Sequence, residues 1–274
     1  RRRHTRFRNV TRVQTCALPI SGVLNFLGQM SEAQRDALIK LSGEKDAAME
    51  VARNFRLLRS TPLRIGVMPT IGPARVARCL AVFQESHPGI EVALSEAPLE
   101  VLLHRLEDNE VDLALASAPN GLPDAFRSEP LYRERYVVAF AAGHRFEKSG
   151  AIRLDDVNRE AYVDRLACEF RDQVMALCRE HKIELYAGFR SEREEWVQSM
   201  VQAGFGFAFM PEFSVTLPGV HTRRLTAPEV QRNVLAVEVR GRARATAAKL
   251  FVDSVVRDAG ASAATSRRRA SRQG

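Results

Sequence analysis

Residues 63–73, LRIGVMPTIGP, decide how the rest of the chain is read. Leu63, Ile65 and Val67 alternate with Arg64 and Gly66, the period of a strand, and beyond Pro73 the period changes. Val76, Leu80 and Phe83 then recur at helical spacing, with Thr70 and Pro73 placed to open the helix. Such a strand-to-helix corner turns backbone N–H groups and a positive dipole end outward, where they suit small polar or anionic ligands. Function is therefore sought in a cleft.

Outward from this corner, strands and helices alternate. Strands are expected near residues 63–67, 90–96, 112–116, 136–141, 161–164, 184–189, 205–209 and 233–239. Helices are expected near 72–87, 98–108, 169–182, 193–203 and 245–258. Alternation of this kind predicts an α/β fold with mostly parallel sheets covered on both faces. Upstream, Met30, Ala37, Leu41, Ala48, Val51, Phe55 and Leu58 approximate a heptad seam, interrupted by Gln34, Gly43 and Glu44, which suits a pairing helix. Ser60, Thr61 and Pro62 mark a boundary.

LRIGVMPTIGP together with four further stretches in order, MSEAQRDAL (30–38), FQESHPGIEVALSEA (83–97), EVDLALASAP (110–119) and SMVQAGFGFAFMPE (199–212), resembles the LysR-type transcriptional regulators. The resemblance covers about Met30 to Ala259. It implies a two-lobed, periplasmic-binding-protein-like domain preceded by a long linker helix. Residues 21–60 would be the remnant of a DNA-binding wing and the dimerisation helix, and 61–260 the effector-binding domain. Lobe one would combine 61–133 with 231–260, lobe two would hold 134–230, and a small effector would bind between them. The resemblance further implies a cytoplasmic homodimer or tetramer that meets DNA through an N-terminal domain missing from this chain. An exported solute-binding protein would share the fold, but would need neither the heptad-like helix nor the wing-like segment.

The formal charge of +8 is misleading. Residues 1–20 hold six arginines and the last eight residues four more, without an acid in either; removing these ten of 41 basic residues leaves 31 against 33 acidic ones. RRRHTR (1–6) and VQTCALPI (13–20) look like translated sequencing-adapter DNA, since CAG ACG TGT GCT CTT CCG ATC encodes Gln14 to Ile20. Residues 1–20 are therefore expected to be an artefact without structure, the alternative being a basic arm or transit peptide. The Ala-, Ser- and Arg-rich residues 261–274 are expected to be a disordered tail. No apolar run approaches the roughly 18 residues a membrane span needs. With Cys16 set aside in the adapter-like segment, the remaining Cys79, Cys168 and Cys178 are too few and too odd in number for a disulfide framework, which suits a reducing compartment.

Within the cleft, Thr70 is placed to cap the helix or bond a ligand, and by resemblance it and Ile71 touch effector. Ser117 follows the strand VDLALA and reaches the same space, or is an ordinary turn residue. Ser191 and Glu194 have the spacing of a capping box before Trp196. The effector itself is expected to be small and anionic. RLACEFRDQVMALCREH (165–181) is the sharpest chemical feature: Cys168 precedes a helix and lies near Arg165 and Arg171, surroundings that favour thiolate. The segment resembles the redox stretch of the peroxide-sensing LysR-type regulators, which implies Cys168 as peroxidatic thiol, Cys178 as resolving thiol and Thr70 as a positioning residue. It departs from them in having Ala167 where a His is expected and one extra residue between the cysteines. Cys79 is expected to be a core residue. No cofactor or metal is implied: Cys178 and His181 share a helix face without an evident third ligand. No nucleotide, zinc-protease or nucleophile-elbow motif points to an enzyme.

Overall fold

A computed structural model describes residues 61–270, together with Lys40 and Glu44, which are helical. The segment 1–20, the wing remnant and the rest of the expected linker helix lie outside the described residues.

Lobe one is built on β1 (Thr61–Val67), β2 (Ile90–Glu96) and β3 (Leu113–Ala116), with β1 in the middle and both pairings parallel. The helices between them are α1 (Pro73–Ser86), with proline in its first turn, and α2 (Leu99–Glu107). The four residues of β3, LALA, are all buried, as expected of a central strand covered on both faces. Val76, Cys79 and Phe83 face the core from α1, and Phe83 meets Phe251 edge-on at 5.5 Å on α5 (Thr246–Ala270). That last helix continues to Ala270, into the stretch expected from residue 261 onward to be a disordered tail.

Two strands join the lobes. The 16-residue β4 (Phe126–Ala141) runs from lobe one into lobe two, and β10 (Gln231–Val239) returns along its first half. A chain that crosses and comes back lies antiparallel to itself, so β10 pairs antiparallel with both β4 and β3. The expectation of mostly parallel sheets is corrected here: four strand pairings are parallel and four antiparallel. The first half of β4, FRSEPLYRER, was missed because Pro130 and its charges mask the alternation; the register shifts opposite Pro130, between Val234 and Leu235.

In lobe two the second half of β4 is flanked by β8 (Ala208–Pro211) and β9 (Val220–Thr226), with β5 (Ala151–Arg153) beyond β9. β6 (Ala161–Arg165) and β7 (Tyr186–Ser191) form a parallel pair, covered by α3 (Arg171–Glu180) and α4 (Glu194–Gln202). Period-two alternation sorts the two faces: Tyr136, Val138 and Phe140 enter one hydrophobic cluster, Val137 and Ala139 the other. Phe207 and Phe209 likewise face the first, and Ala208 and Met210 the second. AGFGFAFMPE is thus a core strand and its approach. At Gly206, φ is 144° and an added Cβ would lie 2.2 Å from the Ala161 carbonyl oxygen, so only glycine fits.

Candidate functional site

The carboxyl ends of β1, β2 and β3 turn toward lobe two and supply one wall of a cleft of about 580 Å³. Met68 and Pro69 follow β1, Leu99 and Glu100 open α2, and Ser117 follows β3. Backbone bonding fixes this wall: the Met68 N–H donates to the Leu115 carbonyl (3.1 Å), the Ile71 N–H to the Met68 carbonyl (2.9 Å). The Ser117 N–H points at the Met68 sulfur (3.3 Å). The opposite wall is the turn between β6 and α3, with Leu166, Cys168 and Glu169, joined by Glu192. Such a volume lies within the range of roughly 300–1,000 Å³ for small-molecule sites.

Beneath the cleft, Arg232 on β10 joins the lobes. Its Nε donates to Glu134 (2.7 Å), its Nη1 to the Thr70 hydroxyl (3.0 Å) and to Glu169, and its Nη2 to the Thr70 carbonyl (2.7 Å). The Thr70 hydroxyl donates in turn to Glu169 (2.9 Å), and Ser214 of lobe two donates to the Thr70 carbonyl (2.6 Å). The side chains of Arg232 and Glu134 are fully buried. Burial pushes the Glu134 carboxyl up, against the pull of Arg232. Burial alone would lower Arg232, but Glu169 and Glu134 outweigh it and hold the guanidinium charged. Gly72 completes the junction, because a Cβ there would lie 1.9 Å from the Phe213 carbonyl oxygen.

Cys168 is half-buried in the cleft wall, its sulfur 3.4 Å from the Tyr136 hydroxyl. The nearby arginines are engaged elsewhere. Arg165 is buried and donates to Glu194 (2.9 Å) and to the Phe209 carbonyl (3.1 Å). Arg171 grips Asp164 through two hydrogen bonds (2.9 and 2.7 Å). Cys178 faces the lobe-two core from α3, where burial pushes its thiol up to about 11. Seven residues of intact helix separate Arg171 from Cys178, a rise of about 10 Å. Cys79 is buried in the core of lobe one, and burial raises its thiol as well.

A family model described as "LysR substrate binding domain" matches residues 58–260. The chain belongs to the LysR family. Among curated relatives, it is 28% identical over 209 residues to the hydrogen peroxide-inducible genes activator of Haemophilus influenzae, covering 70% of this chain and 68% of that protein. It is 27% identical over 182 residues to the DNA-binding transcriptional dual regulator OxyR of Escherichia coli K12, covering 62% and 59%. The chain thus spans about two thirds or less of the length of these LysR relatives. Among solved structures, the reduced OxyR regulatory domain from Pseudomonas aeruginosa superposes with a TM-score of 0.63 at 23% identity, over 72% of this chain and 98% of that one. The effector-binding domain of QuiR in complex with shikimate gives 0.62 at 20% identity, over 73% and 98%. Both show the two-lobed LysR fold.

On this LysR frame the residues singled out in the sequence separate. Ser117 and Cys168 line the cleft, from opposite walls. Thr70 lies beneath it, fully buried, and neither caps α1, whose N-cap is Gly72, nor opens to the cleft. Ile71 belongs to the lobe-one core. Arg165 is absent from the lining because Glu194 and Phe209 hold it. The same pairing undoes the expected capping box: Glu194 turns to Arg165, and the Ser191 hydroxyl accepts from the Arg193 N–H at 3.0 Å instead. Sequence reasoning missed Glu134, Glu169 and Arg232. A signal was present, since Arg232 shares the inward phase of Val234 and Ala236, and Glu134 that of Tyr136 and Val138.

Proposed function

We propose that this chain is the effector-sensing part of a LysR-type transcriptional regulator, reading a small molecule in the cleft between its lobes. The observation that carries the reading is that Glu169, in the cleft wall, is bound through Arg232 to Glu134 on one crossing strand and to Thr70 in the opposite lobe. An occupant that moves the turn 166–169 pulls on both crossing strands and changes the angle between the lobes. The names of the relatives supply the transcriptional role, and the shikimate complex of QuiR supports a small-molecule occupant. A homodimer or tetramer in the cytoplasm, contacting DNA through an N-terminal domain and no membrane, completes the reading; no described helix is long and apolar enough to span one. The test is a thermal-shift screen of metabolites against the chain and its Ala118→Trp variant, which fills the cleft. Hits lost in the variant are expected; hits retained by it reject the cleft as the site.

The anionic effector expected from the sequence finds little support in the lining. Its charged side chains are Glu100, Glu169 and Glu192, without a lysine, arginine or histidine.

A second reading is favoured by the position of Cys168 and by the hydrogen peroxide-inducible genes activators among the relatives. The Cys168 sulfur attacks peroxide, the O–O bond breaks, one oxygen stays as sulfenic acid and the other leaves as water with the thiol proton. Cys178 then attacks that sulfur, forming the disulfide and releasing a second water. Because a disulfide needs Cα atoms about 4.4–6.8 Å apart, this second step requires α3 to unwind. One equivalent of peroxide followed by thiol mapping tests the reading, and an unmodified Cys168 rejects it.

A further inference from the structure

We propose that the effector of this cleft is a small organic cation, an ammonium or guanidinium group carried on an apolar body. The proposal rests on the reading of the cleft as the effector site and names its ligand class. Three glutamates line the cavity, Glu100 from lobe one and Glu169 and Glu192 from lobe two, of which Glu169 has its carboxylate bound to Arg232 and Thr70 beneath the floor. Glu100 and Glu192 are exposed and form no ion pair among the described residues. Arg232, buried beneath the cleft, is already shared between Glu134 and Glu169 and so offers no free positive charge to an occupant.

The opening turn of α2 is the place where an anion would ordinarily be favoured. Glu100 occupies that turn, so the dipole's positive end already has its carboxylate. The remaining walls offer Met68, Leu99, Leu103 and Leu166, which suit an apolar body rather than a highly hydrated one. The acids also lie on both lobes. In an empty cleft like charges on the facing walls oppose closure, and a cation seated between them removes that opposition. Binding is thereby coupled to the lobe angle.

The test uses three probes with one body and different charge, benzylamine, benzyl alcohol and benzoate, titrated calorimetrically into the full chain at low salt. Benzylamine is expected to bind about tenfold or more tighter than benzoate, the order expected for one charge-assisted hydrogen bond. Its affinity is expected to fall with added salt. Glu100→Gln combined with Glu192→Gln, at two exposed unpaired positions, is expected to erase the preference while lowering the melting temperature only slightly, by the loss of one carboxylate at the start of α2. Benzoate binding more tightly than benzylamine, with loss in Ala118→Trp, overturns the cationic class and leaves the cleft as the site. Benzylamine binding that persists in Ala118→Trp overturns the cleft reading itself. Binding of no probe at millimolar concentration, or a benzylamine preference untouched by the double substitution, also overturns the cationic class.

Discussion

The two walls of the cleft are held by different forces. The lobe-one wall consists of strand ends whose backbone ladders continue into the corner, as with the Met68 N–H on the Leu115 carbonyl. The lobe-two wall is a turn anchored by side chains far apart in sequence: Arg165 to Glu194, Arg171 to Asp164, and Glu169 to Arg232. A backbone ladder is shared by every residue in it and survives most substitutions. A buried ion pair depends on two side chains, and losing one leaves the other charged and dry. The second wall is therefore the more readily rearranged of the two.

The sharpest break of this contrast is Arg232→Met. It strands Glu134 in a dry interior and frees the Thr70 carbonyl, so a loss of about 3–5 kcal/mol in urea unfolding is expected at neutral pH. The pH dependence follows from the raised carboxyl of Glu134. A carboxyl raised by folding contributes stability below its unfolded range, and this is lost as pH rises through its folded value. The deficit of Arg232→Met should accordingly shrink on mild acidification as Glu134 takes up a proton. A deficit independent of pH would place the cost elsewhere.

Next in size, Gly72→Ala drives a methyl into the Phe213 carbonyl and should cost about 1–3 kcal/mol. Thr70→Val removes one donor to Glu169 and one acceptor from Arg232 with little change of shape, for about 1–3 kcal/mol. If Thr70→Val proves harmless, the junction is held by Arg232 and the Thr70 carbonyl alone. The thiols sharpen the comparison further. Iodoacetamide at neutral pH should label Cys168 well before Cys178 or Cys79, as read by peptide mapping, since the latter two are buried and held protonated. Stability should also fall as pH rises from about 9 toward about 11, where the unfolded Cys178 ionises before the folded one, and this slope should be missing in Cys178→Ala. Smallest of all, Glu184→Gln disrupts the exposed pair with Arg159 and should change stability by less than about 0.5 kcal/mol.

Much of the scaffold follows from periodicity read along the chain. The elements around β1, β2, β3 and the helices α1 to α4 fall within a few residues of expectation, and α5 starts where expected, because their apolar residues repeat at the spacing of the structure they form. β9, VHTRRLT, escaped because only two of its seven residues are aliphatic. Ser191 and Glu194 show the converse failure: the local spacing is right for a capping box, yet a buried arginine from β6 competes for the same carboxylate and wins.

The LysR type, the strand-to-helix corner at 63–73 and the position of Ser117 at a strand end are legible in the residues alone. These are properties of contiguous stretches, whose hydrophobic phase and turn chemistry are local. Packing in three dimensions is what buries Thr70 beneath the cleft, withdraws Arg165 from it and makes its lining acidic. Thr70, Glu134, Glu169 and Arg232 meet across separations of up to 162 residues. No periodicity reports which charges will share a dry interior, because that depends on where the two crossing strands bring them together.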